Sequence, residues 1–254
     1  MLDILKIIGW IFSWPFLFIW LLIEFHSCSV AGKRYKKDPT SSTQEERYEK
    51  IKKLVNHFLY WKRIKVEIVG KEKIDKKVML FVANHKSNAD PLVVLKTILS
   101  QDVPYVTFIA KKELEDTKLG HAMDLIDTIY VERGNLREVP KIIDEMVKTM
   151  QNKVSICLFA EGTRVHGDEF ADFHPTLLEA AYRTHLSVQP TVIYNTDGLL
   201  DKGYKRPKNK TVKINYLPSI NAASFINIDR NNFMKKIQTT MFEEYQKIKN
   251  NSYA

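Results

Sequence analysis

A histidine and an aspartate five residues apart, His85 and Asp90, stand in the stretch NHKSNAD, where an apolar run ends. An imidazole can remove a proton from a hydroxyl as that hydroxyl attacks a carbonyl carbon, an effect worth about 10²–10⁴-fold in rate. A carboxylate bonded to the other ring nitrogen fixes the tautomer and stabilises the imidazolium. The structural alternative is that Asp90 caps the helix begun by Pro91 and that His85 is an ordinary loop residue. The two roles of Asp90 are compatible, because a carboxylate has two oxygens.

A second polar stretch, AEGTR, follows another apolar run and ends in Arg164. Gly162 permits a tight turn or a close approach to a ligand, and the planar guanidinium of Arg164 matches two phosphate oxygens. Glu161 is expected to hold this arginine or to accept from a substrate hydroxyl; the alternative is a surface ion pair of little energetic weight. Lys111 in IAKKEL and Arg133 in VERG add cations at the ends of two further predicted strands. Their common position predicts one site for an anionic ligand.

The elements that position these residues form an α/β pattern. Alternating or continuously apolar runs predict strands, and segments of helical periodicity lie between them, including an amphipathic helix that ends near Ile248. Strands that alternate with helices predict a mixed, largely parallel sheet flanked by helices, with ligands bound beyond the carboxyl ends of the strands. The predicted strands cover residues 64–68, 78–82, 106–110, 127–131, 154–160, 188–194 and 211–217.

An uncharged run, IIGWIFSWPFLFIWLLI, covers residues 7–23. It lies at the short end of the length that spans a bilayer, about 20 residues, and its tryptophans favour the headgroup level. Pro15 also allows a helix that enters one leaflet and bends back. The basic cluster in residues 33–37 predicts a cytoplasmic location for that side and argues against cleavage at the signal-peptide-like SVA motif. We expect residues 1–36 to be a retained membrane anchor and residues 37–254 to be the catalytic domain.

Composition excludes several other classes of protein. The chain of 254 residues has 39 Lys and Arg against 30 Asp and Glu, a net charge of +9 that attracts nucleic acid, anionic lipid or phosphorylated small molecules. It has no basic stripe interleaved with aromatic residues, which argues against nucleic acid. Cys28 and Cys157 are too few and too distant for a disulfide framework or a metal site. No serine or cysteine stands in a recognisable nucleophile motif, which predicts direct attack by a substrate hydroxyl.

Blocks across residues 78–194 resemble the glycerolipid acyltransferase family, most closely its bacterial 1-acyl-sn-glycerol-3-phosphate (lysophosphatidic acid) members. These blocks are NHKSNAD, FIAKKEL, TIYVERG, FAEGTR and the proline of VQPTVI, in the family's order. The resemblance implies a glycerol-3-phosphate acyltransferase-like fold with His85 as general base and Asp90 as its orienting partner. It also implies an acceptor site whose cations grip the glycerol phosphate and which contains Lys111, Arg133, Glu161, Gly162, Thr163 and Arg164.

The implied reaction moves a fatty acyl group from a thioester of coenzyme A or acyl carrier protein to the sn-2 hydroxyl of lysophosphatidic acid. The product is phosphatidic acid, and no metal or bound cofactor is implied. An acyltransferase with another lysophospholipid or alcohol as acceptor is the nearest alternative. A non-catalytic, basic, membrane-peripheral protein is a more distant one. The acyl chain length, the carrier and the oligomeric state stay open.

Three positions depart from the family pattern. Ala160 stands where proline is usual, Asp127 where glycine is common, and His174 in DFHP where lysine is usual. The change at His174 removes a permanent cation and bears on acceptor or donor binding rather than on the proton transfer.

Two further sequence features bear on the same activity. Backbone N–H groups of the turn at residues 84–88, or of the helix start, are candidate donors to the oxyanion. The basic loop KGYKRPKNK at residues 202–210 is either a solvated loop or a contact with anionic lipid, worth about 1 kcal/mol for each charge near the surface.

Overall fold

The computed structural model describes residues 2–132, 134–201, 203–204, 207 and 209–250. The described strands are β1 (Lys65–Val69), β2 (Met79–Ala83), β3 (Val106–Lys111), β4 (Ile129–Val131), β5 (Ser155–Phe159), β6 (Ser187–Tyr194) and β7 (Thr211–Tyr216). The helices are α1 (Leu2–Lys37), α2 (Gln44–Trp61), α3 (Asp90–Ile98), α4 (Lys118–Asp124), α5 (Val139–Gln151), α6 (Glu179–Thr184) and α7 (Arg230–Lys249).

The described strands form one seven-stranded sheet in the order β1-β7-β6-β2-β5-β3-β4. Within it, the pair β6 and β7 is antiparallel and all other neighbouring strands run parallel. Strand β2 lies in the middle, and all five of its residues are buried, as expected for a continuously apolar parallel strand covered on both faces. The predicted mixed, largely parallel sheet is confirmed.

Helices α5, α6 and α7 contribute to the core on the sheet. The amphipathic C-terminal helix α7 begins at Arg230, where Asp229 accepts hydrogen bonds from the first backbone N–H groups. Its apolar side chains recur at helical spacing and are buried with β2, β5 and β6. The buried residues of α7 are Phe233, Met234, Ile237, Met241, Tyr245 and Ile248.

By internal contacts the chain divides into two compact units, Met1–Ile64 with Glu113–Thr128, and Lys65–Lys112 with Ile129–Ala254. The second unit contains the whole sheet. The first contains α1, α2 and α4, so it extends beyond the segment 1–36 predicted as the anchor. The assignment of anchoring to that segment alone stays a prediction.

Helix α1 continues through Pro15 without a break in secondary structure. Its stretch Trp14–Lys37 is long and apolar enough to cross a membrane. Large apolar side chains on it face outward, including Phe16 at 74% and Ile23 at 58% exposure. Such a surface is unusual for a soluble protein and suits contact with lipid.

The first unit also explains one departure from the family pattern. Asp127 has a φ of 55°, a left-handed conformation that glycine adopts most easily and that aspartate tolerates better than most residues. Its carboxylate accepts hydrogen bonds from the Tyr35 hydroxyl at 2.7 Å and from Arg47 at 3.0 Å. The side chain therefore adds contacts that a glycine would lack.

Candidate active site

The register of β2 against β5 brings two of the predicted motifs together. Ala83 pairs with Phe159, so His85 and Glu161 each stand two residues beyond a matched pair at adjacent carboxyl ends. The amide of Asn84 anchors the end of β2 to β6, exchanging two hydrogen bonds with the backbone of Ile193 at 2.8 and 2.9 Å. The NHKSNAD and AEGTR stretches therefore lie side by side.

His85 and Asp90 form the predicted pair. Nδ1 of His85 lies 2.8 Å from Oδ2 of Asp90. Because an ionised carboxylate only accepts hydrogen bonds, Nδ1 carries the proton and Nε2 has the lone pair required of a general base. The Asp90 side chain is fully buried, whereas 16% of the His85 side chain is exposed. The imidazole is accessible to a substrate and its partner is shielded from water.

The prediction that Asp90 caps the following helix is wrong. Ala89 occupies the N-cap position and Asp90 is the first residue of α3. Oδ2 of Asp90 instead accepts hydrogen bonds from the backbone N–H groups of Lys86 at 2.7 Å and Ser87 at 2.8 Å. Both donors precede the helix, so the carboxylate closes the turn that carries His85 and orients the imidazole with the same oxygen.

The carboxylate of Glu161 anchors this turn from the other side. It is 2% exposed, and its two oxygens accept hydrogen bonds from the backbone N–H groups of His85 at 2.7 Å and Ala171 at 2.9 Å. The backbone N–H of Val165 also donates to the His85 carbonyl at 2.8 Å. Glu161 is therefore placed to support the turn that carries His85, and its part in acceptor binding stays a prediction.

A buried lysine within the motif, Lys86, lies close to these carboxylates. Its ammonium group donates to the Glu169 carbonyl and lies 5.1 Å from the centre of the Phe170 ring. Burial lowers the pKa of Lys86, and burial also raises the pKa of Glu161. Attraction between the two groups opposes both shifts, so each reduces the cost of burying the other.

Replacing Glu161 by glutamine is expected to lower the free energy of unfolding by about 1–3 kcal/mol, because the amide nitrogen cannot accept and leaves one backbone N–H without a partner. Because the folded protein raises the pKa of Glu161, it binds this proton more tightly than the unfolded chain does. The resulting contribution to stability is fully present below pH 4.5, the ordinary pKa, and is lost as the pH rises through the raised pKa. The deficit of the variant should therefore widen as the pH falls.

Urea unfolding at several pH values measures both effects. Glu145→Gln on the exposed side of α5 is the matched control. A Glu161→Gln protein as stable as the wild type would contradict the anchoring role of Glu161.

Aromatic rings hold the His85 imidazole in place. The imidazole stacks on the Phe159 ring with centroids 4.3 Å apart, and Phe159 stacks on Phe108 with centroids 6.0 Å apart. These rings come from neighbouring strands, β5 and β3. Phe159 therefore contacts the face of the His85 ring, while Asp90 binds its Nδ1 edge.

The guanidinium of Arg164 binds the carboxylate of Asp201, in the connection between β6 and β7, and not that of Glu161. Of the two expectations for Glu161, the pairing with Arg164 is wrong: the two Glu161 oxygens accept from backbone N–H groups and Asp201 holds the arginine. The Arg164 side chain is 40% exposed, so part of its guanidinium can reach a ligand. Oδ2 of Asp201 also accepts a hydrogen bond from the Ser87 hydroxyl at 2.6 Å.

Of the remaining predicted acceptor residues, Gly162 and Thr163 follow Glu161 directly in the chain. Gly162 has a φ of 64°, and a Cβ there would lie 3.2 Å from the His174 ring, so glycine suits both the turn and its neighbour. Thr163 is exposed beside it. Lys111 ends β3 and pairs with Val131 of β4, at the far edge of the sheet. Arg133 lies outside the described residues, as do four of the basic residues in the loop 202–210.

Part of the expectation for the oxyanion donors needs correction, and the other N–H groups of the turn and of the start of α3 stay candidates. The backbone N–H groups of His85, Lys86 and Ser87 already donate to Glu161 and Asp90, so they are not free to bind an oxyanion in this conformation. Among the described residues, no cluster of three His, Cys, Asp or Glu side chains could hold a metal ion. Cys157 is buried in β5, and burial raises the pKa of its thiol, which disfavours the thiolate a nucleophile needs.

Sequence reasoning missed three residues of this site: Lys86, Phe159 and Asp201. The first two lie within or beside the quoted motifs, where burial could not be read from residue type. Asp201 lies in a polar connection far along the chain, and no spacing signal links it to His85.

Comparison with known proteins identifies the family of the chain. The acyltransferase family model matches residues 65–194. A Mycoplasma genitalium protein named probable 1-acyl-sn-glycerol-3-phosphate acyltransferase is 35% identical, over 92% of this chain and 91% of its own length. A Mycoplasma pneumoniae protein of the same name is 33% identical, over 90% of this chain and 88% of its own length.

The fold also matches a solved structure. The crystal structure of the 1-acyl-sn-glycerophosphate (LPA) acyltransferase PlsC from Thermotoga maritima superposes with a TM-score of 0.70, covering 91% of this chain and 95% of that one. The two sequences are 22% identical, so this likeness concerns the fold. The family model and the Mycoplasma relatives carry the assignment, and this chain belongs to the acyltransferase family.

Proposed function

We propose that the protein transfers a fatty acyl group from a thioester to the sn-2 hydroxyl of lysophosphatidic acid and so forms phosphatidic acid. The observation that carries the proposal is the His85–Asp90 pair at the carboxyl end of β2, with the partly exposed Arg164 side chain on the adjacent loop. The names of the Mycoplasma relatives support the same acceptor.

The chemistry follows from the geometry of the pair. Nε2 of His85 takes the proton of the sn-2 hydroxyl as its oxygen attacks the thioester carbonyl carbon, and Asp90 stabilises the resulting imidazolium. The tetrahedral intermediate then collapses, the carbon–sulfur bond breaks, and the departing thiolate takes the proton from His85. The sequence of steps needs no covalent acyl-enzyme, metal ion or bound cofactor.

The acceptor phosphate is assigned to Arg164, with Lys111, Arg133, Gly162, Thr163 and Glu161 as further members of the acceptor site. A guanidinium presents several N–H donors in one plane and suits phosphate oxygens better than a single ammonium group does. The acyl donor is a thioester of coenzyme A or of acyl carrier protein, and the carrier leaves as a free thiol.

The proposed location is the cytoplasmic face of a membrane. The apolar surface of α1 supports contact with lipid, and the basic cluster in residues 33–37 supports a cytoplasmic side. Both the acceptor and the product are amphiphiles, so an anchored enzyme meets them where they reside.

Acyl transfer from labelled palmitoyl-CoA and palmitoyl-ACP to three acceptors in mixed micelles tests the proposal. We expect kcat/KM for lysophosphatidic acid to exceed that for monoacylglycerol by about ten- to a hundredfold, the effect of a charge-assisted hydrogen bond to the phosphate. Lysophosphatidylcholine should also be used less well, because its phosphodiester has fewer free oxygens. Equal or better use of either competitor would overturn the acceptor assignment, and the two donors identify the carrier.

A further inference from the structure

The carboxylate of Asp201 connects the acceptor side of the site to the catalytic turn. One oxygen, Oδ1, accepts from Nη1 of Arg164, and the other, Oδ2, accepts from the Ser87 hydroxyl at 2.6 Å. The side chain of Asp201 is 1% exposed, so both bonds are shielded from water. A buried carboxylate holding a partly exposed guanidinium restrains its direction far more than a surface ion pair does.

Ser87 extends this connection to the general base. Its backbone N–H donates to Oδ2 of Asp90 at 2.8 Å, and the same oxygen accepts from Nδ1 of His85. A continuous series of hydrogen bonds therefore runs from Arg164 through Asp201, Ser87 and Asp90 to His85. The position of the guanidinium relative to the imidazole is set by this series.

Arg164 retains donors for a ligand while it is held. A guanidinium has five N–H groups, and the contact with Asp201 uses Nη1. The side chain is 40% exposed, so it is accessible from solvent while Asp201 holds it. A phosphate bound there would sit at a fixed separation from Nε2 of His85.

We propose that Asp201 is a positioning residue that sets the span between the acceptor's phosphate and its reacting hydroxyl, and so favours phosphomonoester acceptors over neutral ones. This inference rests on the proposed function. Asp201 lies outside the recognised motifs. In this inference it holds Arg164 in place and, through Arg164, determines acceptor specificity.

Asp201→Asn tests the bond to Arg164 separately from the bond to Ser87. The asparagine oxygen can still accept from Ser87, whereas its amide group faces the Arg164 guanidinium with N–H donors and cannot hold it. We expect the ratio of kcat/KM for lysophosphatidic acid to that for monoacylglycerol to fall about ten- to a hundredfold, mainly through a higher KM for the charged acceptor.

A double-mutant cycle distinguishes positioning from a general structural role. In an Arg164→Ala background, Asp201→Asn should leave unchanged the ratio of kcat/KM for lysophosphatidic acid to that for monoacylglycerol. The reason is that Asp201 acts on the phosphate only through the guanidinium. Asp144→Asn, which breaks an exposed pair with Arg183, is the matched control. Asp201→Ala, which removes both bonds, replaces Asp201→Asn if the latter does not fold.

The outcomes separate the inference from the function on which it rests. A wild type active on lysophosphatidic acid, combined with an unchanged ratio in Asp201→Asn or with additive losses in the double mutant, would overturn the inference alone. A wild type inactive on lysophosphatidic acid would overturn the proposed acceptor and the inference together. A ratio that falls only where Arg164 is present supports the positioning role.

Discussion

Replacing His85 by alanine should lower kcat for acyl transfer by about 10²–10⁴-fold, because the variant lacks the base that takes the hydroxyl proton. Arg164 and the exposed apolar surface of α1 are untouched, so KM for lysophosphatidic acid should change much less than kcat. Steady-state rates with labelled thioester and lysophosphatidic acid in micelles measure both constants. The backbone hydrogen bonds of His85 to Glu161 and Val165 do not depend on its side chain, so the variant should remain folded.

His57→Ala is the matched control for this experiment. His57 also bonds a carboxylate, Glu24, at 2.9 Å, but it lies on α2 in the unit without the sheet. We expect near wild-type kcat from it. A folded His85→Ala protein with kcat within about tenfold of wild type would eliminate His85 as the general base.

Replacing Asp90 by asparagine should reduce kcat by a similar factor, about 10²–10⁴, without loss of the turn. The asparagine oxygen can still accept from the backbone N–H groups of Lys86 and Ser87, so the local geometry is retained. It lacks the negative charge that stabilises the imidazolium in the transition state. The larger part of the loss should therefore lie in kcat rather than in KM.

Asp102→Asn provides the comparison, because Asp102 is 94% exposed and its partner is the surface residue Lys76. Circular dichroism and thermal unfolding check that Asp90→Asn retains its fold. Should Asp90→Asn keep full kcat, the carboxylate would be a structural element of the turn, and the bond to His85 would have no part in catalysis.

Much of this fold follows from local pattern. The predicted strands agree with the observed ones to within about two residues, because strands buried in a parallel sheet need continuously apolar sequence and are ended by polar or glycine-containing turns. The five-residue spacing of His85 and Asp90 is also local, so their contact could be expected from the sequence. The same holds for the apolar character of α1.

Residue roles that depend on long-range contacts differed from expectation. Glu161 was expected to hold Arg164 or to accept from a substrate hydroxyl, yet its carboxylate accepts from the backbone N–H groups of His85 and Ala171. Asp90 was expected to cap α3, yet the turn before the helix binds its carboxylate more directly. In both cases the carboxylate accepts hydrogen bonds from buried backbone N–H groups, since an unpaired N–H in the interior is costly.

The sequence alone determined the fold class and predicted the contact between His85 and Asp90, because these depend on residue type at short spacing. Only the tertiary structure decided that Glu161 anchors the turn, that Lys86 is buried beside it, and that Asp201 holds Arg164. These contacts join segments separated by tens of residues, such as Ser87 and Asp201, and no local periodicity encodes them. They depend on which strands are neighbours and in what register, which is set by packing of the whole sheet.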